Sequence, residues 1–90
     1  MKVKNNALKI NLADNVAIAI REIKKGEPVI IDDTEMCVAA EDIPASHKIA
    51  LEPIAVGRPV VRYGEPIVVA TDDIAVGQWV HLHNTRPVEG

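Results

Sequence analysis

The chain has 90 residues and a formal net charge of −3, with one Cys, one Trp and one Tyr. That length makes one domain near the lower limit of independent folding, 1–90. The basic residues are scattered, which excludes the patch a nucleic-acid binder needs, and no stretch approaches the roughly 20 apolar residues of a membrane span.

Hydrophobic residues make up 48% of the chain, and with so few aromatics Val, Ile, Leu and Ala must build the core. Their β-branched bias favours strands. The basic start, Met1 to Lys4, is followed by no signal-peptide core, because Asn11, Asp14 and Asn15 interrupt it. Leu8, Ile10 and Leu12 alternate with polar residues, as in a half-buried strand. Asp14-Asn15 is turn chemistry. Val16, Ile18 and Ile20 alternate with Ala17 and Ala19, which predicts a strand covered on both sides.

A short pattern, Ile-x-x-Gly-x-x-Val, then recurs. It runs over Ile23 to Val29, Ile54 to Val60 and Ile74 to Val80, with a degenerate copy from Ile43 to Ile49 that has Ser46 in the Gly position. In each, an apolar residue anchors a turn, Gly supplies positive φ, and the next apolar residue opens a strand. Pro28 and Pro59 fall where a missing N–H is tolerable. The turns predict strands near Val29–Ile31, Cys37–Ala40, Lys48–Leu51, Val60–Arg62, Ile67–Ala70 and Val80–His83. Tyr63-Gly64-Glu65-Pro66 supplies a further turn, with Tyr63 read as core. Short strands at this spacing indicate an all-β sandwich or barrel, frayed only at Met1–Asn6 and Thr85–Gly90. Cys37 is read as a small buried residue, and an unpaired Cys suits a reducing, cytoplasmic setting.

Few residues carry chemistry. His81 and His83 sit at i and i+2, so a strand would place both on one face, as candidate metal ligands or as polar strand-end residues. His47 is a candidate for orienting or protonating a leaving hydroxyl. Its neighbour Lys48 should point to the opposite face and suits a carboxylate. Arg62 serves either a carboxylate or a surface ion pair. Asn84 either bonds hydroxyls or caps a strand end. Asp32-Asp33 and Asp72-Asp73 are read as turn formers, and Trp79 as an exposed or interfacial residue beside the His pair.

Three segments together resemble a known family. They are Ile43-Pro44-Ala45-Ser46-His47-Lys48-Ile49-Ala50-Leu51, then Val60-Val61-Arg62-Tyr63-Gly64-Glu65-Pro66-Ile67-Val68-Val69-Ala70, then Val80-His81-Leu82-His83-Asn84. With Asp14 to Ala19 upstream, they are similar to the SAF domain of the altronate/galactarate dehydratases, over a motif-bearing core of about 14–84. Ser46 and Val68 stand where that family has Gly. The resemblance implies a small β-clip fold of short strands and bent hairpins. It implies an N-terminal domain or small subunit of a sugar-acid hydro-lyase, inactive alone, which completes a site on a large catalytic partner. It further implies His47, His81 and His83 as catalytic, with Lys48, Arg62 and Asn84 binding the sugar acid. A divalent metal, expected to be iron, would be held mainly by the large partner, with His81 and His83 as shared ligands. Two other readings remain, a sulfo-acid lyase small subunit and a non-catalytic SAF-type carbohydrate-binding module, and homo-oligomerisation stays open.

Overall fold

Each copy of the Ile-x-x-Gly-x-x-Val pattern turns the chain from one short strand into the next. The computed structural model describes residues 4–88, which form nine strands and no helix. These are β1 (Ala7–Leu8), β2 (Val16–Ala19), β3 (Pro28–Ile31), β4 (Thr34–Val38), β5 (Lys48–Ala50), β6 (Pro59–Arg62), β7 (Glu65–Ala70), β8 (Trp79–Val80) and β9 (Thr85–Pro87). A four-stranded sheet has the order β1-β2-β5-β8, β3-β4 is a separate hairpin, and the third sheet runs β6-β7-β9. All pairings are antiparallel. The expected all-β, β-clip class is what the chain adopts. No helix among the described residues is long and apolar enough to cross a membrane.

The repeated pattern has a structural counterpart. Ile23 bridges Ile43, and Ile54 bridges Ile74, each pair by reciprocal backbone hydrogen bonds. The first copy therefore pairs with the degenerate second, and the third with the fourth. Two equivalent units result, offset by 31 residues (23 to 54, 43 to 74). Each contains one hairpin, β3–β4 or β6–β7, and each hairpin carries a bulge, at Val29/Ile30 and at Val60/Val61. Asp42 Oδ1 accepts from Lys25 N–H in the first unit as Asp73 Oδ1 accepts from Val56 N–H in the second.

Two asparagines fasten the bulges. Asn6 donates to Pro28 O and accepts from Ile30 N–H, both at 2.8 Å. Asn15 donates to Pro59 O at 3.0 Å and accepts from Val61 N–H at 2.8 Å. A bulge leaves ladder groups unpaired, and these amides satisfy them. Asn6, placed by sequence at a frayed end, is thus only 1% exposed. Thr85–Pro87, also expected to fray, pairs with β7. Of the segments expected to fray, residues 1–3 and 89–90 lie outside the described residues.

Other expectations need correction. The first strand covers only Ala7–Leu8, and Leu12 is 95% exposed. Asp14 stops it: its carboxylate accepts from Asn11 N–H and Gly64 N–H. Burial acts to raise the Asp14 carboxyl, but hydrogen bonds from the Gly64, Asn11 and Tyr63 backbone outweigh it and hold the group below its ordinary range. Tyr63 is not core. It adopts φ 58° in the β6–β7 turn and is 55% exposed. Cys37 is only half-buried, and burial, with the charge of Glu35, pushes its thiol up.

The central sheet separates two apolar cores. Ala17, Ala19 and Ile49 pack with Ile23, Val29 and Ile43. Val16, Ala50 and Val80 pack with Ile54, Val60 and Ile74. The expectation that the Val16 strand is covered on both sides holds for this reason.

Candidate functional site

The site begins at the turn that enters β5. Ser46 adopts φ 70°, the conformation glycine has in the other copies. Its N–H donates to Ala19 O at 2.7 Å, and His47 O accepts from Ala19 N–H at 2.9 Å. His47 is therefore fixed to β2 before β5 starts. β5 then pairs with β8, Ile49 opposite Trp79 and Lys48 opposite Val80. One step further along this register, His47 faces His81, and Trp79 lies diagonal to His47 on the same side.

The rings meet as the register requires. The His47 and His81 centroids are 4.7 Å apart. Trp79 stacks on His81 at 5.2 Å with 9° between planes. It also contacts His83 at 5.2 Å and His47 at 5.4 Å. Its indole Nε1–H donates to His47 Nδ1 at 3.1 Å. One half-buried indole gathers the chain's three histidines. Trp79 is packed against the first core rather than standing exposed.

The last strand is shorter than expected. β8 ends at Val80, and residues 81–84 form a turn, so His81 and His83 do not alternate along one strand face. Asn84 makes the turn. Its Oδ1 accepts from His81 N–H at 2.9 Å and its Nδ2 donates to Trp79 O at 2.8 Å. Thr85 Oγ1 donates to His81 O at 2.7 Å. Asn84 is 7% exposed and both atoms of its amide are engaged, the strand-cap alternative of the two read from sequence. Glu41, unremarked in the sequence, accepts from Trp79 N–H at 3.0 Å. Nothing short of the folded chain brings these residues, 38 apart, together. His83 borders a shallow cleft of about 260 Å³ with Glu41, Asp72, Asp73, Gln78 and Asn84.

The electrostatics are one-sided. Burial, then the charges of His47, Lys48 and His83, holds His81 below the ordinary imidazole range. Burial, then the neighbouring Arg62 guanidinium, lowers the Lys48 amine. Lys48 lies opposite Val80 of the second core, whereas Ile49 belongs to the first, so strand alternation does separate it from the Trp79 face. Arg62 Nη2 donates to Tyr63 Oη at 3.1 Å, with its guanidinium 4.7 Å from the Tyr63 ring centroid. No ion pair forms at Arg62 among the described residues. Among the described residues the ion pairs are Arg21–Glu27, Lys24–Glu22 and Lys24–Asp42, and Arg62 Nε is buried without a partner. Among the described residues, neither Lys48 nor Arg62 is in an ion pair.

No group of three His, Cys, Asp or Glu side chains among the described residues is placed to hold a metal ion. The donors among the described residues do not by themselves make up a site for the divalent metal implied by the resemblance.

Residues 5–87 match the family described as the altronate/galactarate dehydratase SAF domain. The chain belongs to that family. The SAF domain is 43% identical over 79 residues to altronate dehydratase of Escherichia coli (strain K12). It is 42% identical over 79 residues to altronate dehydratase of Bacillus subtilis (strain 168). In both cases 88% of this chain aligns with only 16% of the dehydratase. It is also 37% identical over 59 residues to (2R)-sulfolactate sulfo-lyase subunit alpha of Paracoccus pantotrophus, covering 64% of this chain and 88% of that subunit.

Proposed function

We propose that this SAF domain forms one wall of the active site of a sugar-acid dehydratase, the remainder lying on a large region or partner chain. The observation that carries the reading is three imidazoles gathered on the Trp79 indole, at the junction of β5 and β8.

The reaction in this reading removes water across carbons 2 and 3 of an aldonic or aldaric acid, such as altronate or galactarate, and leaves a 2-keto-3-deoxy acid. It needs a base for the proton alpha to the carboxylate and a donor for the departing hydroxyl. Lys48 and Arg62 supply positive charge for the carboxylate, Lys48 from the other face of β5, where its charge still disfavours the His81 imidazolium. His47, His81 and His83 handle protons. His81 suits a neutral, proton-accepting role, because burial and its cationic neighbours disfavour the imidazolium. Asn84 contributes by shaping the turn that presents His81 and His83. The divalent metal belongs to the large region, and the enzyme works in the cytoplasm.

A second reading is the small subunit of a sulfo-acid lyase, favoured by the 88% coverage of the sulfo-lyase subunit alpha. Its substrate is also an anion that the charges of Lys48 and Arg62 suit.

The test is reconstitution with the large region of an altronate dehydratase and divalent iron, assayed on altronate, galactarate and sulfolactate. The SAF domain alone should give no turnover, and the mixture should turn over a sugar acid. His81→Ala should lower that turnover by about 10²-fold or more, a loss typical of an acid–base group. Glu35→Ala, on the exposed face of β4, should leave it near wild type. Full activity of the His81 variant would remove His81 from the site, turnover by the SAF domain alone would overturn the shared site, and turnover of sulfolactate only would favour the second reading.

A further inference from the structure

We infer that Trp79 is a positioning residue that holds His47 in its Nε2–H tautomer and so makes it the hydrogen-bond donor of this wall, not its base. The inference rests on the reading that places His47 in the site, and deepens it by giving that residue one role.

The argument starts from the donor inventory. An indole N–H donates and cannot accept. Trp79 Nε1 lies 3.1 Å from His47 Nδ1, so Nδ1 must present a lone pair. A neutral imidazole has one donor nitrogen and one acceptor nitrogen, and its proton then sits on Nε2. Nε2 is the nitrogen left for a substrate, and it offers a proton. Using Nε2 as a base would require the other tautomer, with an Nδ1–H pointed at the indole N–H.

The indole cannot readily turn away to permit that. The Trp79 backbone is held at both ends, its N–H by Glu41 Oε2 and its carbonyl by Asn84 Nδ2. Trp79 is paired with Ile49 across the ladder. Its ring is stacked on His81 at 9° and packed against the first core. One side chain therefore sets the tautomer of His47 and the ring plane of His81. The ligand atom that suits His47 Nε2–H is an oxygen, either a departing hydroxyl or an oxygen that gains negative charge as the alpha proton leaves. Abstraction of that proton falls to another group.

The test is nitrogen-15 NMR on the labelled 90-residue chain at about pH 8, above the ordinary imidazole range. His47 should show the two-bond proton–nitrogen pattern of the Nε2–H tautomer. A scalar coupling across the hydrogen bond should link Trp79 Nε1 to His47 Nδ1. Trp79→Phe keeps a ring in the space but removes the donor, and His47 should then populate both tautomers. An Nδ1–H pattern or an absent coupling in the wild type overturns the inference, and so does an unchanged pure Nε2–H pattern in a folded Trp79→Phe chain. Where that variant does not fold, the wild-type coupling decides alone. None of these readouts depends on turnover, so the tautomer can hold while the dehydratase reading fails, and the reverse.

Discussion

At the residue scale, polar side chains that bond backbone do more for this fold than ion pairs do. Its ion pairs among the described residues are exposed, where such contacts contribute little. Asn6, Asn15, Asp14 and Asn84 instead occupy backbone groups that bulges and turns leave unpaired. Asn15→Ala would strip partners from Pro59 O and Val61 N–H. We expect a loss of about 1–3 kcal/mol in a urea titration, the cost of leaving such groups unsatisfied. A loss below about 0.5 kcal/mol, the range of ordinary surface changes, would show that water replaces the amide freely. Glu41 and Asn84 hold the Trp79 backbone in the same way, and the Trp79 side chain organises three histidines.

At the element scale, the turn is the repeated unit, and its four copies are not equivalent. Ser46, Gly57 and Gly77 all adopt left-handed backbone, at φ 70°, 85° and 85°. A Cβ on Gly57 would meet nothing within 4 Å, whereas one on Gly77 would lie 2.2 Å from Val38 O and 3.0 Å from Ala40 N. Gly77 is thus required twice, for its φ and for the approach of the segment after β4. That approach is sealed by Ala40 N–H donating to Gly77 O at 2.8 Å. Gly57→Ala should cost about 1–2 kcal/mol, the left-handed penalty alone. Gly77→Ala should cost about 3 kcal/mol or more, since the backbone must also move. Equal midpoints for the two variants in thermal unfolding would refute the distinction. Gly77 lies two residues before Trp79, so its displacement would also disturb the histidines.

At the scale of the whole molecule, 31-residue duplication produces two units that share one sheet. β2, β5 and β8 present Ala17 and Ile49 to one core and Val16, Ala50 and Val80 to the other. Neither unit can lose this sheet without exposing the other's core. Unfolding should accordingly be a single transition, with Trp79 fluorescence and far-ultraviolet circular dichroism giving coincident curves. Two separated transitions would mean that the units fold independently. The histidines lie where β5 and β8 meet, at the junction between the units, so the site forms only once both are in place.

Local pattern determined the all-β class, the turns and the approximate strands, because a turn needs only its own glycine, aspartate or proline and a strand shows in its alternation. The recurrence of Ile23, Ile43, Ile54 and Ile74 was legible too, but not that they pair in twos, since pairing is a long-range choice. Histidines at 47, 81 and 83 stood out as chemistry. Their meeting on Trp79 did not, because it depends on the β5–β8 register and on Glu41 and Asn84 holding the indole's backbone. Tyr63 and Arg62 show the same limit: composition put the tyrosine in the core, whereas its place in a left-handed turn exposes it beneath the guanidinium. The sequence determined which residues were available for binding and proton transfer. Tertiary structure decided which of their atoms remain free, because hydrogen bonds across 32 to 46 positions form only after two distant segments share a sheet.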